Sequence, residues 1–211
     1  MGKSIDSETN QRILEAARRV FAEKGYAAAR TQEIADVAKV NKGLLTYYKW
    51  NKQKLFLAVF EEALETFFGH LSKAIATEET QLMGRLEYII SKYIDMLLQN
   101  PMLPGFVLSE INQHPHALIK HIKSRKNFPD IARLLTQIHA AGQNGKINPV
   151  DPVQLMISII SMCVFPFAGK PLLQGMTNMD NATFYQLMQE RKTAVISFVK
   201  QALTPTQTDA P

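Results

Sequence analysis

The side chains best suited to chemistry in this sequence are the lysines, threonines and tyrosines between Thr31 and Phe56. Lysine can donate to guanine O6 and N7, threonine can hydrogen-bond or offer a methyl group to thymine, and tyrosine hydroxyls can reach phosphate oxygens. A short helix must present such groups before they can read a DNA groove. The segment therefore favours DNA binding, provided that its local structure is helical.

Two short helices joined by a tight turn are predicted within this segment. The first begins at Thr31, whose hydroxyl can accept from an unpaired backbone N–H, and Glu33 lies where the helix dipole favours an anion. Asn41 is the next good N-cap, and Lys42 to Tyr48 form a helix of about two turns. So short a helix buries too little surface to be stable alone, so we expect neighbouring helices to hold it.

Residues Ile13 to Phe56 resemble the N-terminal DNA-binding domain of the TetR family of bacterial transcriptional repressors. The matching segments are ILEAARRVFAEKGY, Thr31, EIADVAKV, NKGLLTYY and NKQKLF, which follow in order and without gaps. The resemblance implies a three-helix helix-turn-helix domain, followed by a larger helical domain for ligand binding and dimerisation. Because the C-terminal halves of such regulators differ widely, the identity of the ligand does not transfer.

The resemblance also implies roles by position. Leu45 is expected to point into the small core, and the alternative for Tyr47 is a core aromatic. The residues implied to face the major groove are Lys42, Gly43, Leu44, Thr46 and Tyr47, and those implied to touch phosphates are Thr31, Tyr48 and Lys52.

Two positions depart from the family pattern. Lys39 stands in the turn where the family usually places a glycine with positive φ, and a side chain there costs roughly 1 kcal/mol. At Lys49 and Trp50 the usual order of an apolar residue followed by a basic or small one is inverted. Either Trp50 supplies the packing anchor or the end of the second helix is locally re-aimed.

Charge is distributed unevenly along the chain. Residues 1–56 carry 11 Lys and Arg against 6 Asp and Glu, whereas residues 57–211 carry 13 of each. The whole excess of +5 thus lies in the first quarter. A basic segment on a neutral remainder is typical of a polyanion-binding domain attached to a sensing or assembly domain.

Apolar periodicity of 3.6 residues predicts an all-α fold of about nine or ten helices, with no strand pattern. The expected domains are residues 1–56 for DNA binding and 57–203 for ligand binding and dimerisation, with 204–211 disordered. The main helices are predicted at residues 9–24, 51–76, 80–99, 105–112, 130–141, 153–168 and 180–203.

Composition favours a soluble cytoplasmic protein. A single cysteine, Cys163, excludes an internal disulfide framework, and the polar N-terminus does not resemble a signal peptide. The longest apolar run, Leu155 to Gly169, is too short to cross a membrane.

Apolar side chains of the second domain can line a cavity for a lipophilic effector, although plain core is the favoured interpretation of any single one of them. Helix 153–168 and the last helix are apolar on more than one side, which predicts a homodimer built from these helices. The candidate lining residues are Phe67, Leu71, Met83, Leu86, Ile90, Tyr93, Met96, Phe106, Met162 and Phe165.

An enzyme, a cofactor and a metal site are not expected. His114, His116 and His121 lack the spacing of a zinc site, and no nucleophile with its base or phosphate-binding loop is visible. The sequence predicts a ligand-responsive repressor that binds a near-palindromic DNA operator as a homodimer and is released by a small apolar molecule. The alternative is a helical protein–protein adaptor that uses Trp50 and exposed methionines.

Overall fold

The structure is a computed structural model that describes residues 2–77, 81–113 and 115–205. Within these ranges the chain forms eleven α-helices and no strand, which confirms the all-α prediction. The helices are α1 (Gly2–Ala28), α2 (Thr31–Val37), α3 (Lys42–Tyr47), α4 (Lys52–Ala76), α5 (Leu82–Gln99), α6 (Leu103–Gln113), α7 (Pro115–Lys123), α8 (Ile131–Gln143), α9 (Pro152–Ala168), α10 (Lys170–Thr177) and α11 (Asn181–Leu203).

The chain divides into two compact units, which we call the head and the body. The head comprises residues 1–66 and 99–103, and the body comprises residues 67–98 and 104–211. The division falls inside α4, which runs without a break from Lys52 to Ala76, and the domain boundary at residue 56 stays a prediction. Of the tail expected to be disordered, residues 206–211 lie outside the described residues.

Aspartate N-caps fix the starts of three body helices near the predicted positions. The carboxylates of Asp130, Asp151 and Asp180 accept from backbone N–H groups three residues later, at 3.0, 2.8 and 2.8 Å. Each of these N–H groups would otherwise lack a partner at the start of its helix. For Asp180, these hydrogen bonds to the charged form also lower the pKa of the carboxyl group.

Helix α10 is absent from the prediction, which expected no helix between residues 168 and 180. Pro171 lies in its first turn, where the missing N–H of proline is tolerated. Asn178 ends the helix in the left-handed conformation, with φ 52°. Asparagine adopts this conformation more readily than most residues, and this was the available sequence signal for the helix end.

Helix α9 continues through Pro166, which cannot donate a backbone hydrogen bond to Met162 four residues earlier. The carbonyl oxygen of Met162 instead accepts from Nε and Nη2 of Arg191 on α11, at 3.2 and 3.1 Å. A guanidinium group thus replaces the missing N–H inside the body and ties α9 to α11.

No single helix in the described ranges is long and apolar enough to cross a membrane. Helices α9 and α10 meet the length and composition criteria only as a pair, with a bend of 69° between them.

Candidate functional site

The core of the head is built from α1, α2, α3 and the start of α4. Phe56 packs edge-on against Phe21 and Tyr26, with ring centroids 5.1 and 4.9 Å apart. Ile34 of α2 is fully buried, and Leu45 of α3 is 2% exposed. The expectation that Leu45 points into the small core is confirmed, and its burial fixes which face of α3 is left outside.

Helix α2 begins at Thr31 as predicted, but its capping group differs from the sequence prediction. Arg30, in an extended conformation, is the N-cap, and Thr31 is the first helical residue. The Glu33 carboxylate accepts from the Arg30 N–H at 3.2 Å and from the Lys24 ammonium at 2.8 Å. These contacts, the one with Lys24 first, lower the pKa of Glu33. The cap therefore comes from the glutamate reaching back, and the prediction that the Thr31 hydroxyl caps the helix is wrong.

In the turn after α2, Lys39 adopts the left-handed conformation that was expected at this position, where the family usually has glycine. Lys39 has φ 54°, and its N–H donates to Asp36 O at 3.1 Å while the Val40 N–H donates to Ala35 O at 3.0 Å. This is the Schellman arrangement, in which a left-handed residue satisfies the last carbonyls of a helix. A non-glycine residue costs about 1 kcal/mol here, so the turn needs support from elsewhere.

Arg12 of α1 provides that support. Its Nη2 donates to the carbonyl oxygens of Ala38 and Lys39, at 2.7 and 3.3 Å. The charged guanidinium satisfies carbonyls at the end of α2 and complements the negative end of the helix dipole. The sequence prediction missed Arg12; the available signal was the absence of glycine from a turn that required one.

The end of α3 repeats the same arrangement. Lys49 has φ 56°, its N–H donates to Thr46 O at 2.9 Å, and the Trp50 N–H donates to Leu45 O at 2.7 Å. The half-buried Trp50 donates its indole Nε1–H to Asn10 Oδ1 of α1 at 2.8 Å. Of the two alternatives left open by the sequence, the geometry supports Trp50 as the packing anchor, and Asn10 is the partner that sequence reasoning missed.

The outer face of α3 carries most of the residues implied to read bases. Asn41 caps the helix by accepting from the Gly43 N–H at 2.8 Å. A Cβ atom at Gly43 would lie 3.3 Å from the same Asn41 oxygen, so glycine keeps the cap unstrained. Tyr47 is 73% exposed, which excludes the alternative of a core aromatic. Lys42, Gly43 and Thr46 are also exposed, whereas Leu44 is half-buried.

The residues implied to touch phosphates lie on three different elements: Thr31 begins α2, Tyr48 is the C-cap of α3 and Lys52 begins α4. Thr31 and Tyr48 are half-buried, and the Tyr48 ring packs edge-on against Tyr47 at 5.2 Å. Lys52 donates to Ala27 O at 3.1 Å and lies 4.7 Å from the centre of the Tyr26 ring. An ammonium group has three donors, so this contact holds Lys52 in place and leaves hydrogens for a further acceptor.

In the body, the structure brings two of the candidate ligand residues into direct contact. The rings of Phe67 on α4 and Tyr93 on α5 stack 4.7 Å apart, with 21° between their planes. Burial, and secondarily the neighbouring Cys163, raises the pKa of Tyr93. Burial also raises the pKa of the Cys163 thiol to about 12, an effect that the charge of Arg191 partly opposes.

The other candidates for the ligand lining differ in environment. Leu71, Leu86 and Ile90 are buried, and Met96, Phe106 and Met162 are half-buried. Met83 lines a groove of about 660 Å³ together with residues of α5 and α8. Phe165 is 54% exposed on α9, so it belongs to the outer surface of the body and not to its interior.

The histidines and possible metal ligands form no cluster in the described part of the chain. His116 and His121 are exposed, and His114 lies outside the described residues.

Helices α1 to α3 of the head and the polar face of α3 define a helix-turn-helix DNA-binding protein with an all-helical second unit. The family model for bacterial regulatory proteins of the tetR family matches residues 13–59. A second model, for the tetracyclin repressor-like C-terminal domain, matches residues 83–199. The chain belongs to the TetR family of bacterial transcriptional regulators.

Known relatives agree with this assignment. The chain is 37% identical over 180 residues to the HTH-type transcriptional repressor NicS of Pseudomonas putida, covering 82% of each protein. It is 25% identical over 201 residues to the regulator RutR of Escherichia coli, covering 92% of each. The fold is similar to that of Bacillus subtilis FadR in complex with stearoyl-CoA, with a TM-score of 0.57 and 22% identity over 89% of this chain and 98% of that one.

The anchoring of α3 by Trp50 leads to a stability prediction. Trp50→Phe keeps an aromatic ring but removes the indole donor, so the free energy of unfolding should fall by about 1 kcal/mol. Asn10→Ala and the double variant complete a mutant cycle measured by denaturant unfolding. Additive effects of the two substitutions would show that the Trp50–Asn10 hydrogen bond contributes nothing to stability.

Proposed function

We propose that this protein is a ligand-responsive repressor that binds a near-palindromic DNA operator as a homodimer. The observation that carries the proposal is the orientation of α3, which buries Leu45 and exposes Lys42, Thr46 and Tyr47 together. Side chains of these types can read base edges and phosphates in a major groove. A regulator of this kind would act in the cytoplasm.

The alternative, a protein–protein adaptor, finds less support. Its proposed surface included Trp50, but the indole ring is half-buried and donates to Asn10 within the head. Met176 is 75% exposed and stays available to a partner. Salt-dependent binding to duplex DNA separates the two functions, and selection of bound sites from random duplexes would identify the operator.

Lys52 and Lys42 are expected to differ in their contribution to DNA binding. Lys52→Ala should weaken binding to every sequence and lower the slope of log K against log salt by about one, because it removes a phosphate contact. Lys42→Ala should instead change the base preference. Titrations at several salt concentrations, with Lys126→Ala in the body as the control, measure both effects. A Lys52→Ala variant that changes only specificity would refute the phosphate contact.

The homodimer is proposed from the outer faces of α9 and α11, which pack against each other in the body. A C₂ axis would pair these helices with their copies in a four-helix interface. Ile196, which the sequence placed in this interface, is half-buried. The large apolar side chains left exposed on the two helices are Val153, Ile157, Ile160 and Phe165 on α9, and Leu187 and Phe198 on α11.

Ile160→Lys should produce a monomer or an aggregate, because the dimer would bury an unpaired charge at a cost of several kcal/mol. Ile119→Lys on α7 is the matched control, since Ile119 and Ile160 are 49% and 42% exposed. Light scattering at micromolar concentration measures the mass of each variant. A wild-type monomer would exclude this dimer.

The effector is proposed to be a small apolar molecule that binds beside Phe67 and Tyr93. Asp95 is paired with Lys192 and lies 4.0 Å from Lys92, so the carboxylate is already balanced and favours a neutral ligand over a cation. The regulator FadR of Bacillus subtilis, which has a similar fold, was solved in complex with stearoyl-CoA, a molecule with a long apolar acyl chain.

Release of DNA would follow from a shift of α4, which runs from the body into the head. The protein would exist in a form that binds DNA and a form that does not. To change the ratio of these two forms from 1:99 to 99:1, the effector must bind one of them more favourably by about 5.5 kcal/mol. Contact with two helices that move relative to each other is a source of such a preference.

Cys163 offers a test of the effector site, because the thiol is fully buried and close enough to Tyr93 to raise its pKa. A thiol reagent can reach Cys163 only when the body opens locally, and a bound effector stabilises the folded body against such opening. The rate at which the reagent modifies Cys163 should therefore fall at the effector concentrations that release DNA. Cys163→Ala gives the unlabelled baseline. A varied lipophilic library that changes neither the labelling rate nor thermal unfolding would contradict the proposed effector class.

A further inference from the structure

Lys49 has an unfavourable backbone conformation and a charged side chain without a partner among the described residues. Its φ of 56° lies in the left-handed region, which glycine adopts without cost and lysine does not. The side chain is exposed, and within the described part of the chain its ammonium group has no hydrogen bond or ion pair. Neither packing nor pairing inside the head thus explains a lysine at this position.

The surroundings of Lys49 hold its backbone in place at the C-terminal end of α3. On one side, the backbone N–H of Lys49 is bonded to Thr46 O, and the following Trp50 is anchored to Asn10. Along the chain it lies between Tyr48 and Lys52, the two residues implied to touch phosphates after the reading helix. A cation next to two implied phosphate contacts in the chain is therefore a candidate for the same role.

Lys39 is a natural comparison, because it has the same conformation and the same place at a helix end. Its φ is 54°, its side chain is exposed, and its carbonyl oxygen accepts from Arg12. Lys39 precedes α3, however, and no residue assigned to a phosphate adjoins it. The two lysines therefore share the backbone cost of a left-handed lysine but differ in position relative to the predicted DNA backbone.

We propose that Lys49 is a further DNA phosphate contact, one that the family's pattern does not assign because an apolar residue usually stands there. The proposal rests on the proposed operator binding. At Lys49 the contribution of the charge to binding offsets the cost of the left-handed conformation, whereas at the Lys39 turn the Arg12 contacts offset it.

The experiment compares Lys49→Gly, Lys49→Gln and Lys49→Arg with Lys39→Gly in thermal unfolding and in salt titrations on a random duplex. Lys49→Gly should raise Tm by a few degrees and weaken DNA binding about five- to tenfold near 0.1 M salt, with a salt slope lower by about one. Lys49→Gln should lose the same slope without the gain in Tm, and Lys49→Arg should keep the wild-type slope. Lys39→Gly should gain Tm and keep the slope.

The variants separate a lost phosphate contact from a structural change. An unchanged salt slope in Lys49→Gln would overturn the proposal, and so would an equal loss of slope in Lys39→Gly. If the wild-type protein binds every duplex without salt dependence, operator binding itself fails. If wild-type binding is salt-dependent but the Lys49 variants keep the wild-type salt slope, operator binding stands and only the phosphate contact of Lys49 is wrong.

Discussion

A helix of six residues makes too few internal hydrogen bonds to persist in water, so everything that α3 exposes depends on contacts supplied by its neighbours. Asn41 closes its start, Leu45 holds it against the core, and Trp50 fixes its end to α1. Arg12 stabilises the turn that leads into it. The position of the reading face therefore depends on packing against α2 and on polar contacts from α1, a helix that carries none of the residues implied to touch DNA.

The basic residues of the head differ in whether they have acidic partners. The ion pairs Arg18–Glu62, Arg19–Glu23 and Lys24–Glu33 balance basic side chains of α1. Among the described residues, no acidic group pairs with the lysines around α3, namely Lys39, Lys42 and Lys49. Acidic residues thus pair with several basic side chains of α1, whereas the lysines around the reading helix keep charges that can attract a polyanion.

The sequence predicted the parts of the fold that depend on local signals. Asparagine and aspartate N-caps and apolar periodicity located most helices, and the missing glycine at Lys39 correctly indicated a left-handed lysine. Contacts between residues distant in sequence could not be read in this way. The Asn10–Trp50 hydrogen bond and the Arg12 contact with the turn need the relative placement of α1 and α3, and the exposure of Phe165 depends on which face of α9 packs inward.

The replacement of a backbone donor by Arg191 has an evolutionary consequence. Pro166 leaves the Met162 carbonyl open, and the guanidinium occupies it. A residue other than proline at position 166 would bring back an N–H that competes for the same oxygen, and a residue without a donor at position 191 would remove the hydrogen bonds that this partly buried oxygen accepts. A substitution at position 166 or at position 191 alone should therefore lower stability, whereas both together restore a single hydrogen-bond donor for the Met162 oxygen. Positions 166 and 191 should therefore vary together among relatives of this chain, as a correlated pair separated by a whole helix.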